Sequence, residues 1–101
     1  TPTITKNVNV QEFKDLIEKK TGTIVDVRTP QEYLRGNIKN SKNINISDNF
    51  LEEIQKLDKN EPIYVYCAVG GRSSRAMQMM QQMGFKEVYN LMGGYNAWSR
   101  Q

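Results

Sequence analysis

Pro62-Ile63-Tyr64-Val65-Tyr66-Cys67-Ala68-Val69-Gly70-Gly71-Arg72-Ser73-Ser74-Arg75-Ala76-Met77-Gln78-Met79-Met80 is the stretch whose reading decides the fold. A β-branched and aromatic run ends at the only cysteine of the chain, and a glycine-bearing loop then leads into a helical pattern that lasts to Met83 and Gly84. Ala76, Met79, Met80 and Met83 fall on one face of that helix and are expected to pack on a sheet. Strand, turn and helix in this order make an anion site. Backbone N–H groups in the turn point inward, and the helix start adds unpaired donors and the positive end of its dipole. If the anion is the Cys67 thiolate, the same field lowers the thiol pKa from its free value of about 8.5.

Cys67 is therefore a candidate nucleophile. A lone cysteine is more often a small buried hydrophobe. Here, however, it stands at the carboxyl end of an apolar strand, where open α/β sheets place their ligands, and Gly70 and Gly71 follow where the backbone is expected to approach something closely.

Upstream, Ile24 to Val27 reads as a strand buried on both faces, interrupted by Asp26. A buried carboxylate needs a partner, and Arg28, two residues on and on the same face, or Arg72, brought near in space, can supply it. Asp26 is then either an anchor for the catalytic loop, the favoured reading, or a participant in the site. Thr29-Pro30-Gln31-Glu32 is a helix start, with Thr29 as cap, Pro30 at the first position and Glu32 closing a capping box. Gly36 and Asn37 stop that helix, and Asn43 to Ile46 alternates as a short strand. Ser47 to Asn49 is a candidate cap for a helix with Phe50, Leu51, Ile54 and Leu57 on its apolar face.

Near the amino terminus Thr1 to Lys6 reads as a polar lead-in. Asn9 looks like a cap with Glu12 three residues on, and Val8 and Phe13 form a staple. Phe13, Leu16 and Ile17 follow at helical spacing, with Lys19, Lys20 and a left-handed Gly22 closing the helix. Downstream, Glu87 to Leu91 makes a last strand, Gly93-Gly94 a turn, and Tyr95 and Trp98 share one face of a closing helix, Trp98 as core. Strands alternating with helices imply a parallel or mostly parallel sheet covered on both faces, with right-handed crossovers.

The 101 residues fit one domain. A hydrophobic share of 38%, a charged share of 25% and a mean hydropathy of -0.68 describe an ordinary globular chain with no run long enough to span a bilayer. No targeting segment is visible. The chain opens at Thr1 without methionine, which leaves export after leader removal open beside the expected cytoplasmic location. With no histidine and a single cysteine, Cys-His and Ser-His pairs are excluded, as is nearly every zinc site, and no metal or cofactor is expected. An oxidised or sulfur-loaded Cys67 has no resolving partner within the chain. The net charge of +3 and a pI near 9.1 do not mark a nucleic-acid binder, because Lys14, Lys19 and Lys20 alternate with Glu12, Asp15 and Glu18 and no aromatic residues interleave with a basic cluster.

Two blocks of the sequence resemble the single-domain rhodaneses, the rhodanese-like sulfurtransferases. The first runs from Ile24-Val25-Asp26-Val27-Arg28-Thr29-Pro30-Gln31-Glu32-Tyr33 to Gly36-Asn37-Ile38 and Asn43-Ile44. The second runs from Tyr66-Cys67 through Gly70, Arg72-Ser73, Gly84-Phe85, Val88 and Leu91 to Gly93-Gly94 and Ala97-Trp98. The resemblance implies a five-stranded, mostly parallel α/β sheet, a catalytic Cys67 and a substrate loop of Ala68, Val69, Gly70, Gly71 and Arg72, with Asp26, Arg28 and Ser73 in support. The related cell-cycle phosphatases carry one more residue between cysteine and arginine, so the shorter loop here implies a cradle for sulfane sulfur. Asn37 stands where the family often has histidine, and Asn40-Ser41 replaces a common Gly-Ala. Asn40 can still take a left-handed turn.

Ala68-Val69 lacks the charge of the well-known thiosulfate-using members, which leaves Arg72 as the loop's only charge. Two roles are open to it: meeting an anionic donor, or turning inward to pin the loop. The expected activity is transfer of a sulfane sulfur from thiosulfate, polysulfide or a persulfide, through a Cys67 persulfide, to an external thiol or cyanide, with a sulfur-relay protein as a further partner. The expected state is a monomer or weak dimer. A non-catalytic sulfur-carrier or interaction module is the alternative, and a phosphatase or arsenate reductase a more distant one.

Overall fold

A computed structural model describes residues 3–19 and 21–101. Its strands are β1 (Ile4–Val8), β2 (Thr23–Asp26), β3 (Lys42–Asn43), β4 (Ile63–Tyr66) and β5 (Glu87–Leu91). Its helices are α1 (Val10–Lys19), α2 (Pro30–Arg35), α3 (Phe50–Ile54), α4 (Gly71–Gln82) and α5 (Gly94–Trp98). The five strands form one sheet in the order β1-β5-β4-β2-β3, and every recorded pairing is parallel.

Strand alternation sorts the core into two layers. Ile63, Val65 and Cys67 face Phe50, Ile54, Ala76, Met77 and Met80 on the α3 and α4 side. Tyr64 and Tyr66 point the other way, onto Phe13, Ile38, Tyr95 and Trp98 on the α1 and α5 side. Phe13 meets both Tyr64 and Trp98 edge to face, with ring centroids 6.0 and 6.1 Å apart. The sheet is thus covered on both faces, as its nearly unbroken apolar central strand requires.

Several local expectations need correction. The polar lead-in contains β1, an edge strand whose Ile4 amide bonds to the Lys86 carbonyl at 2.7 Å. Gly22 is not left-handed. Its requirement is steric, because a Cβ there would meet the Pro62 carbonyl and stand 2.8 Å from the Tyr64 ring. Asn49 adopts a left-handed conformation and makes no side-chain cap, and Leu51 is exposed rather than on the apolar face of α3. In α4 Met77 joins the core, while Met79 and Met83 are only partly buried. Thr1, Pro2 and Lys20 lie outside the described residues.

Other readings hold. The Asn9 side chain accepts from the Glu12 amide at 2.8 Å, Asn40 takes a φ of 71°, and the Thr29–Glu32 capping box is complete.

Candidate active site

The site is built where β4 ends. Cys67 continues the strand's alternation, so its side chain starts on the α4 side of the sheet, and the chain then turns through Gly70 at a φ of 111° into α4. Only glycine adopts that conformation without strain. The close approach expected at both glycines is not found: a Cβ at Gly70 would stand 3.6 Å from its nearest neighbour, so the need there is conformational, and at Gly71 it would have nothing within 4 Å and φ is not positive.

The turn presents hydrogen-bond donors to the sulfur. The Gly70 amide donates to Cys67 Sγ at 3.0 Å, and the buried Ser73 hydroxyl lies 3.4 Å from Sγ and 3.3 Å from the Gly70 carbonyl. One hydroxyl proton serves both acceptors, so an ionised sulfur draws it more strongly than a neutral one. Burial pushes the Cys67 thiol up, but the Ser73 hydroxyl and the amides of Ser73, Gly70 and Val69 outweigh it and leave the pKa below its ordinary value. The start of α4 adds the positive end of a helix of 12 residues. Cys67 itself is only 1% exposed, so the sulfur lies under its loop rather than in an open mouth. Two surface depressions lie away from it, one of about 420 Å³ between β1 and α1 and one of about 500 Å³ beside Gly22 and Tyr64.

The loop is held from outside by the last turn of the chain. The Tyr95 and Asn96 amides, at the start of α5, donate to the Cys67 and Ala68 carbonyls at 2.7 and 3.0 Å. With those carbonyls turned toward α5, the amides that follow are free to face the sulfur. Gly94 makes the approach possible, since a Cβ there would collide with the Cys67 carbonyl and stand 2.6 Å from Ala68. The Gly93-Gly94 pair was visible in the sequence as a turn, but nothing local showed what it turns against.

Asp26 is fully buried and clasped by Arg28, whose Nε reaches both carboxylate oxygens at 3.0 Å and whose Nη2 lies 2.6 Å from Oδ2. Arg28 also donates to the Gly36 carbonyl and lies over the rings of Tyr66 and Tyr95, at 5.5 and 4.7 Å. This cluster is on the α1 and α5 side, opposite Cys67, where it joins the end of β2 to the turn after α2 and to the Tyr66 and Tyr95 rings. Arg72 makes its ion pair elsewhere. Its Nη1 and Nη2 donate to the two oxygens of Glu32 at 2.8 and 2.9 Å. Sequence reasoning saw Glu32 only as a capping residue, because the pairing spans loops far apart in the chain.

Fold and site together define a parallel α/β domain that sets a lone cysteine in an amide-lined loop at a helix start. The chain belongs to the rhodanese-like domain family, whose description matches residues 9–101. It is 34% identical to the thiosulfate sulfurtransferase GlpE of Coxiella burnetii over 93 residues, covering 92% of this chain and 86% of that one. Among solved structures, the rhodanese-like domain protein of Staphylococcus aureus matches with a TM-score of 0.82 at 36% identity, covering 92% of this chain and 90% of that one. The rhodanese-related protein of Thermoplasma volcanium matches with a TM-score of 0.83 at 33% identity, covering 94% and 91%.

Proposed function

We propose that this protein is a sulfurtransferase working by double displacement through a Cys67 persulfide. The Gly70 amide and Ser73 hydroxyl on Sγ carry the reading, because they favour the ionised sulfur that nucleophilic attack needs. The Cys67 thiolate attacks the outer sulfur of a donor and the donor's S–S bond breaks. The bonding pair leaves with sulfite from thiosulfate, or with a thiolate from a persulfide. As the loop opens to admit the donor, the amides that cover Sγ meet the incoming sulfur and hold the charge of the Cys67 persulfide. An external thiol or cyanide then attacks the terminal sulfur and restores the thiolate. The acceptor is external because the chain has no second cysteine. The thiosulfate sulfurtransferase named among the relatives supports the same reaction class.

The test is release of thiocyanate from thiosulfate and cyanide, or of sulfide from a persulfide and thiol, by the wild type and by Cys67→Ala. Activity in the wild type that vanishes in the variant supports the reading, and activity that persists in the variant overturns it. The 1% exposure of Cys67 favours one second reading, a sulfur carrier that loads and unloads only on a partner protein. A stable persulfide detected by intact mass, without turnover on small acceptors, would select it.

A further inference from the structure

Arg72 is the only charged side chain between Cys67 and the end of its loop, and its charge is already met. Both terminal nitrogens lie along the Glu32 carboxylate in the parallel fork that gives arginine and carboxylate their strongest contact. Glu32 is fixed independently, because its Oε1 also accepts from the amide and the hydroxyl of Thr29, each at 3.1 Å. The capping box of α2 therefore sets the carboxylate in place, and Arg72 docks on it. With side chains 39% and 30% exposed, the pair sits at the solvent-facing rim of the loop. The fork with Arg72, foremost among its contacts, holds the Glu32 carboxyl at about 2, so it stays ionised at neutral pH.

We infer that Glu32 determines which donors the site accepts: by neutralising Arg72 it withdraws the loop's cation and favours alkyl persulfides, R–S–SH, over the thiosulfate dianion. The inference rests on the sulfurtransferase reading above and narrows it. The donor contacts left to the loop are the uncharged amides, the Ser73 hydroxyl and the exposed side chain of Val69. These suit a donor that is attacked in its protonated form, R–S–SH, and so brings no charge up to the thiolate. From R–S–SH the Cys67 thiolate takes the outer sulfur with its proton, and R–S⁻ leaves with the bonding pair. Thiosulfate must instead bring two negative charges up to a thiolate with no unpaired loop cation to offset them. Glu32 acts through Arg72, so it is a positioning residue.

The experiment measures the second-order rate of Cys67 persulfide formation by intact mass with two donors, thiosulfate and 2-hydroxyethyl persulfide. Glu32→Gln keeps an acceptor for the capping box and removes the charge. The expected result is a gain of about tenfold with thiosulfate, much less with hydroxyethyl persulfide, and shrinkage of the gain at high salt. Glu32→Asp, which keeps the charge, retains the wild-type preference. The double variant Glu32→Gln/Arg72→Gln, uncharged like the pair it replaces, also retains it, and it carries the test if the single variant fails to fold. Equal changes with both donors in Glu32→Gln, or a fall in the thiosulfate-to-persulfide ratio in the double variant, overturn the inference alone. A wild type that loads from neither donor overturns the sulfurtransferase reading instead.

Discussion

The α-carbon of Gly94 is packed against the backbone of Cys67 so closely that a methyl group there would strike the Cys67 carbonyl. The nucleophile's loop is thus shaped by the last helix as well as by the strand and helix that flank it in sequence. Gly94 has a φ of 58°, which adds a conformational reason to the steric one.

Gly94→Ala is expected to push the loop off the α5 amides and slow Cys67 persulfide formation by about 100-fold, as misplacement of a reacting group by about an ångström does. Gly71→Ala, by contrast, adds a methyl into open space at a helical position and should raise stability by about 0.5 kcal/mol. Intact-mass kinetics for the first and thermal unfolding for the second check the pair. Destabilisation by Gly71→Ala would contradict the geometry described.

Ser73→Ala removes the hydroxyl donor from Sγ without touching the Gly70 amide. Because hydrogen bonds to the thiolate hold the Cys67 pKa down, its loss raises that pKa. The pH profile of persulfide formation then moves to higher pH, and the rate at neutral pH falls about tenfold. Ser73→Cys is unsuitable as a control, since it adds a second thiol. An unmoved profile in Ser73→Ala would show that the hydroxyl serves only the Gly70 carbonyl.

Much of this architecture was legible because it is local. The Thr29–Glu32 capping box, the apolar Ile63–Tyr66 strand and the glycine turn after Cys67 each state their conformation in a few adjacent residues. β1 was not legible. Only Val8 of its five residues is buried, and an edge strand held by β5 on one side needs no apolar alternation. The Arg72–Glu32 fork and the Gly94 contact escaped for the same reason: each joins segments that only the tertiary fold brings together. Cys67 shows the converse. At 1% exposure it would pass for core by burial alone, and the donors on its sulfur distinguish it.

Asp26→Asn leaves Arg28 as an uncompensated charge in a site where Asp26 is fully buried and Arg28 nearly so. The expected cost is about 3 kcal/mol or more, read as a lower denaturant midpoint with an unchanged slope. Since this cluster lies across the sheet from Cys67, the folded variant should show the wild-type pH profile of persulfide formation. A shifted profile would place Asp26 in the site.

The Arg72–Glu32 pair makes stability depend on acid in a stated window. Glu32's folded pKa is depressed to about 2 from an ordinary 4.5, foremost by the Arg72 fork. Its contribution is therefore complete above about pH 4.5 and is lost as pH falls toward 2. The gap in unfolding free energy between the wild type and Glu32→Gln should narrow across that range. It is expected to stay modest, because both side chains are partly exposed. A gap that stays constant from pH 6 to pH 2 would contradict the pairing.

The most direct test is the intact mass of the protein after exposure to a sulfane-sulfur donor. The wild type is expected to gain one sulfur, to lose it on addition of cyanide with matching release of thiocyanate, and to gain none when Cys67 is replaced by alanine. Sulfur transfer that persists in Cys67→Ala, or a wild type that gains no sulfur from thiosulfate, polysulfide or persulfide, would contradict the account.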